Sequence, residues 1–169
     1  MNLRKCDADE TINNVPYRQL VGKLLYLAVL TRPDISFSVS LVSKFLESHS
    51  ESHWKYCKRI LRYIKGTNNF GIYYRKTEKQ NILIGYSDSS WGSDEEDRRS
   101  TIGFAFILNS GVVSWKSVKQ ATVVLSSTEA EYVALCNAVQ EAIHLRNLLD
   151  DLGFNQENAT KYFATIKVQ

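Results

Sequence analysis

Two stretches hold residues of the kind that do phosphodiester chemistry. They are Ile82-Leu83-Ile84-Gly85-Tyr86-Ser87-Asp88-Ser89-Ser90-Trp91 and Ser126-Ser127-Thr128-Glu129-Ala130-Glu131-Tyr132. The first reads as a strand ending on an acid, the second as a helix opening on two. An Asp and a Glu brought together this way offer hard oxygen ligands to a divalent cation, which can polarise a phosphodiester and activate water. Strand alternation puts Ile82, Ile84, Tyr86 and Asp88 on one face and Leu83, Gly85 and Ser87 on the other. Asp88 then ends an apolar row, which predicts a core-facing position. On the helix, steps of ~100° per residue align Glu131 with Leu135, Ala138, Ala142, Leu145 and Leu149, and put Glu129 roughly opposite. Glu131 therefore heads the stripe that packs on the sheet.

Each acid also has a simpler role open to it. Asp88 before Ser89-Ser90 can begin a turn with its side chain on the backbone. Thr128 and Glu131 match a capping box, and Glu129 is an acid in a first helical turn. Asp150-Asp151, just ahead of Gly153, reads as a solvated helix end, and Asp94, Glu95, Glu96 and Asp97 as a solvated loop run. His49, His53 and His144 share no ligand spacing and read as surface or core histidines.

The elements that must position these acids follow from periodicity. Residues 1–15 read as a polar tail. Pro16 suits the start of a helix from Tyr17 to Leu30 with a wide apolar face that includes Leu25, Tyr26 and Val29. A second helix is expected over about 34–47, with Thr31 as a cap, and a third over about 51–65. The third places Trp54, Cys57, Leu61 and Ile64 inward, and Gly66 ends it. Its outer residues Lys55, Lys58, Arg59, Arg62 and Lys65 are basic, either a solvated face or a phosphate-contacting one. Extended stretches then follow at 70–75, 82–88, 101–108 and 112–116, with Asn109-Ser110-Gly111 as a hairpin signal. A long helix over about 129–152 and a short strand over about 160–166 complete an α+β pattern. The helical part is residues 16–80 and the β-rich part residues 81–169.

The 169 residues carry a net charge of +3 and are 44% hydrophobic, an ordinary globular composition. No apolar run reaches the ~20 residues of a membrane span, and no signal peptide precedes the acids of the N-terminus. Three scattered cysteines, Cys6, Cys57 and Cys136, fit a reducing compartment such as cytoplasm or nucleus, and not a disulfide scaffold or zinc site.

Several longer motifs go further. Pro16-Tyr17-Arg18-Gln19-Leu20-Val21-Gly22-Lys23-Leu24, Thr31-Arg32-Pro33-Asp34-Ile35, His53-Trp54 and Leu61-Arg62-Tyr63-Ile64-Lys65-Gly66-Thr67 occur in that order. They are followed by Gly85-Tyr86-Ser87-Asp88-Ser89-Ser90-Trp91, Arg98-Arg99-Ser100-Thr101, Val113-Ser114-Trp115-Lys116-Ser117 and Leu125-Ser126-Ser127-Thr128-Glu129-Ala130-Glu131-Tyr132. Over residues 15–153 the chain resembles the polyprotein of copia-type retrotransposons. The helical part is similar to the segment joining reverse-transcriptase palm to ribonuclease H, and the second part to the ribonuclease H domain.

That resemblance implies a mixed sheet of three antiparallel strands, then a helix, then a strand parallel to the first. It implies Mg2+ or Mn2+ as cofactor, an RNA–DNA hybrid as partner, and a polyprotein covalently attached. Asp88 and Glu131 match its first two catalytic and metal-binding acids. Arg98, Arg99 and Ser100 match a motif beside the first strand, for which phosphate contact is expected, as it is for Lys55, Lys58, Arg59 and Arg62 on the basic helix. The chain departs from the family where an Asp-Asn-Gln motif should supply a third acid. The strand there reads Lys161-Tyr162-Phe163-Ala164-Thr165-Ile166, and no acid follows Glu157. The expected ribonuclease H domain is thus incomplete, and its hybrid-cleaving activity weak or lost. A non-catalytic nucleic-acid-binding remnant and an unselected element fragment are the alternatives.

Overall fold

The structure is a computed structural model that describes residues 3, 11–76, 82–94 and 96–164. Most of the expected tail with Cys6, most of a charged connection expected at 76–80 with the 80/81 boundary, Glu95, and the strand end at Thr165-Ile166 lie outside the described residues. The chain divides into two compact units, residues 1–71 and 72–169.

The first unit is helical: α1 (Tyr17–Leu30), a 3-10 turn (Pro33–Ile35), α2 (Ser36–Ser43) and α3 (Glu51–Gly66). α1 buries Tyr17, Val21, Leu24 and Ala28, one stripe at helical spacing, against Val39, Val42, Cys57 and Ile60. The wide apolar face expected for α1 is corrected: Leu25, Tyr26, Val29 and Leu30 are exposed. Thr31 does not cap the next helix; it ends α1, its N–H bonded to Leu27 O. α2 is shorter than expected because residues after Ser43 tighten into turns. In α3 His53, Cys57 and Ile60 are buried and Trp54 and Ile64 pack partly buried on the same core, while Leu61 is exposed. His53 enters the core because its Nδ1 accepts from Ser50 N–H at 3.0 Å, a reciprocal cap, while its ring lies 4.0 Å from that of Phe45.

The second unit holds β1 (Leu83–Ser90), β2 (Thr101–Leu108), β3 (Gly111–Lys119), α4 (Ser127–Asp151) and β4 (Lys161–Ala164). The sheet order is β3-β2-β1-β4, with β1–β2 and β2–β3 antiparallel and β4 parallel to β1. The two-residue connection Asn109-Ser110 makes the hairpin, with Asn109 at φ 57°. The chain is an α+β protein, with helices first and then a mixed sheet with one long helix. The extended stretch at 70–75 forms no strand. Tyr74 Oη donates to Val112 O at 2.8 Å and Arg75 N–H to Ser110 Oγ at 2.9 Å, so it meets the hairpin without joining the ladder.

α4 covers one face of the sheet. Its buried residues Ala130, Glu131, Ala134, Ala138, Ala142, Leu145 and Leu149 include five of the six read from the sequence; Leu135 is half-buried. The small alanines let Phe106 and Tyr162 lie beneath the helix on either side of Gly85. A Cβ at Gly85 would come within 2.7 Å of both rings, so this strand position accepts nothing larger without displacement.

Candidate functional site

The ladder decides where Asp88 points. Leu83, Gly85 and Ser87 are the buried residues of β1, and their partners Leu108, Phe106 and Phe104 line the same α4-covered face. The row Ile84, Tyr86 and Asp88 belongs to the open face. The expectation that Asp88 ends a core-facing row is therefore corrected. The open-face row is the more apolar of the two, yet the ring pocket at Gly85 settles which one is covered. On the open face a cross-strand row runs Phe163, Tyr86, Ala105, Trp115, with the Phe163 and Tyr86 rings stacked at 5.3 Å. Asp88 is exposed one row further along, opposite Gly103.

Glu131 is placed differently. It sits one turn inside α4 and is 6% exposed, as its stripe position requires. Its alternative role as a capping residue is excluded by the actual cap. Ser126 is the N-cap, its Oγ accepting from Glu129 N–H at 3.1 Å, and the Glu129 carboxylate accepts from Leu125 N–H at 2.8 Å. The S-x-x-E pair is thus Ser126 with Glu129, one register earlier than Thr128 with Glu131. That leaves Glu131 as a carboxylate carried into the helix–sheet seam.

Between β1 and β2, the loop beside Asp88 is built around Lys119. Its Nζ lies 2.7 Å from carboxylate oxygens of both Asp94 and Asp97. Burial lowers the lysine's proton affinity, but the two carboxylates outweigh this and hold it above its usual value. Burial likewise pushes Asp97 up, yet the Lys119 contact and the Arg99 N–H hold it below the usual carboxylate range. Asp94 and Asp97, read from the sequence as part of a solvated run, are therefore ion-pair partners. Lys119 was not legible as their anchor, because it stands 22 residues on, at the end of β3. Arg98 is exposed at φ 59°, and Arg99 pairs with Asp97 at 3.5 Å. Ser100 is fully buried, its Oγ accepting from Gly92 N–H and its carbonyl from Gln120 N–H. Ser100 holds the loop closed and presents no surface to a ligand.

Among the described residues no three His, Cys, Asp or Glu side chains gather into a metal site. Asp88 lies in the open-face row, and Glu131 belongs to the helix over the other face. The basic residues Lys55, Lys58, Arg59, Arg62 and Lys65 belong to the helical unit and are all exposed on α3. No helix of the described residues is long and apolar enough to cross a membrane.

The chain is 48% identical over 134 residues to secreted RxLR effector protein 161 of Plasmopara viticola, a match covering 79% of this chain and 94% of that one. It is 40% identical over 148 residues to the retrovirus-related Pol polyprotein from transposon TNT 1-94 of Nicotiana tabacum, covering 88% of this chain and 11% of that one. It is 45% identical over 137 residues to the corresponding polyprotein of transposon RE1 of Arabidopsis thaliana, covering 81% and 9%. The chain thus spans about a tenth of the length of these two polyproteins. No family model and no solved structure matches it.

Proposed function

Because the chain belongs to the copia-type retrotransposon Pol family, we propose that it carries the front half of a ribonuclease H-like domain behind a reverse-transcriptase connection segment. We propose further that by itself it does not cleave RNA. What supports the first part is the strand order β3-β2-β1-β4, with β4 returned parallel to β1 by α4, and an acid near the end of β1 and another one turn into α4. Such sites use Mg2+ or Mn2+ to activate water against the RNA strand of an RNA–DNA hybrid. Among the described residues no third His, Cys, Asp or Glu gathers with two others into a metal site, so no catalytic step follows from them. Cys57 and Cys136 are free thiols, in keeping with a reducing compartment, cytoplasm or nucleus, as the place of action.

The test is cleavage of a labelled RNA–DNA hybrid by the purified chain in Mg2+ or Mn2+, beside Asp88→Asn. The expected result is no cleavage above the Asp88→Asn background. Losing one acidic ligand costs several kcal/mol of transition-state stabilisation, and each ~1.4 kcal/mol is tenfold in rate. Robust cleavage abolished by Asp88→Asn would overturn the proposal.

A further inference from the structure

The loop between β1 and β2 holds an exposed hydroxyl that this reading does not use. Five Ser or Thr residues have an acid three places on: Thr31, Ser48, Ser93, Ser126 and Thr128. An enzyme that reads such a charge pattern needs both the hydroxyl and the acid at the surface, and the structure separates the five. Asp34, the acid after Thr31, is forked by Arg32. Ser48 is half-buried, its Oγ 3.3 Å from Thr11 Oγ1. Ser126 Oγ is taken as the cap of α4, and the acid after Thr128 is Glu131, 6% exposed. Ser93 and Glu96 are both exposed. Ser93 is moreover followed by acids at each of the next four positions, Asp94, Glu95, Glu96 and Asp97. The basic pair Arg98-Arg99 precedes Ser100 and Thr101, but those residues are closed to an enzyme at 0% and 8% exposure.

We propose that Ser93 is a phosphorylation site for an acidophilic protein kinase, and that its phosphate loosens the loop by drawing Lys119 away from Asp94 and Asp97. In the transfer, Ser93 Oγ bonds to the terminal phosphorus of a nucleoside triphosphate as the bond from that phosphorus to the bridging oxygen breaks. The hydroxyl proton passes to a base of the kinase, and the nucleoside diphosphate leaves. Ser93 Oγ donates to Thr101 Oγ1 at 3.0 Å, and Thr101 stands directly opposite Lys119 in the β2–β3 ladder. Residues so paired share one face of the sheet, which puts a phosphate on Ser93 close to the lysine. The phosphate carries a charge of about −1.5 to −2 and three strong acceptor oxygens. Lys119 Nζ is the cation within its reach, already shared at 2.7 Å between two carboxylates. The phosphate competes for that cation, repels Asp94 beside it, and ends the donation to Thr101. What the loop stands to lose is its closure, Asp94 N–H to Arg99 O and Arg98 N–H to Asp94 O. None of this rests on the ribonuclease H-like reading.

The experiment incubates the full chain with ATP, Mg2+ and a purified serine kinase that selects an acid three residues after its acceptor, and maps the phosphate by peptide mass spectrometry. About one phosphate per chain is expected, on Ser93. Ser93→Ala, shown to be folded by circular dichroism, should lose the label, and Glu96→Gln should slow its appearance several-fold, while Thr31→Ala should leave it unchanged. Hydrogen exchange then compares the phosphorylated chain with the unmodified one. The amides of Asp94 and Arg98 should exchange faster after phosphorylation, and those of α4 should not. No incorporation, or a label that survives Ser93→Ala, would overturn the site. Unchanged exchange at Asp94 and Arg98 in the chain labelled on Ser93 would overturn the loosening of the loop.

Discussion

The two units employ their motif residues in opposite ways. In the helical unit, Arg32 of Thr31-Arg32-Pro33-Asp34 turns inward and bonds to the exposed Asp34. Arg32, 7% exposed, forks onto Asp34 at 2.8 and 2.9 Å and reaches Thr67 O and Oγ1 at 3.2 and 2.7 Å. Tyr63 adds a third hydrogen bond to Asp34. This network fastens the α1–α2 corner to the end of α3, and holds Asp34 well below the usual carboxylate range through its Arg32 bond. In the β unit, Asp88, Trp91 and Arg98 face outward, and Glu131 alone of the two matched acids is enclosed. The comparison teaches that a long motif match does not by itself mark chemistry. In the first unit it marks a structural clasp, in the second exposed residues and one enclosed acid.

That contrast can be broken most sharply at Arg32. Arg32→Ala would remove a buried guanidinium and its hydrogen bonds to Asp34 and Thr67, at a cost of about 1–2 kcal/mol. Hydrogen exchange should show the loss throughout residues 11–71 and little change in 82–164. Equal loss in both units would contradict the clasp. The counterpart in the β unit is Gly85→Val, which drives a side chain into the Phe106 and Tyr162 rings. Overpacking of this kind costs about 2 kcal/mol, read as a lower denaturation midpoint of the sheet unit alone.

The smallest effect sharpens the comparison through pH. His49 is 9% exposed, stacked on Tyr17 at 4.2 Å, and neither ring nitrogen has a hydrogen-bond partner among the described residues. Burial, and then the charge of Arg18, lower its proton affinity below that of an ordinary histidine. Its folded value lies below its unfolded one, so its contribution is complete above about pH 6.5 and is lost as pH falls from there to the folded value. Asp34, also lowered, keeps its contribution until well below that window. Denaturation of the helical unit at pH 7.5 and 5.5 should therefore show a loss at the lower pH that His49→Phe removes.

Much of this arrangement was legible in the sequence. α1, α3, the Asn109-Ser110 hairpin and most of the α4 stripe follow from local periodicity and turn chemistry. The covered face of β1 does not. Ile82, Ile84 and Tyr86 outweigh Leu83, Gly85 and Ser87 in hydrophobicity, yet the second row is buried because rings from β2 and β4 need the space at Gly85. The α4 cap was equally hidden, since Ser126, Ser127 and Thr128 are interchangeable cap residues and only backbone geometry selects Ser126. Of the candidate site, Glu131 sits where its stripe put it, Asp88 lies in the open-face row, and the Lys119 clamp depended on a contact between distant strands.

The central claim, that the β unit holds two family acids but no working metal site, is tested most directly by Mg2+ titration of the folded chain followed at backbone amides. The account predicts no saturable shift at Asp88, Ser89, Ala130 or Glu131 in the low-millimolar range. Saturable shifts at both Asp88 and Glu131, lost together in Asp88→Asn, would show that the two carboxylates share an ion and would contradict it.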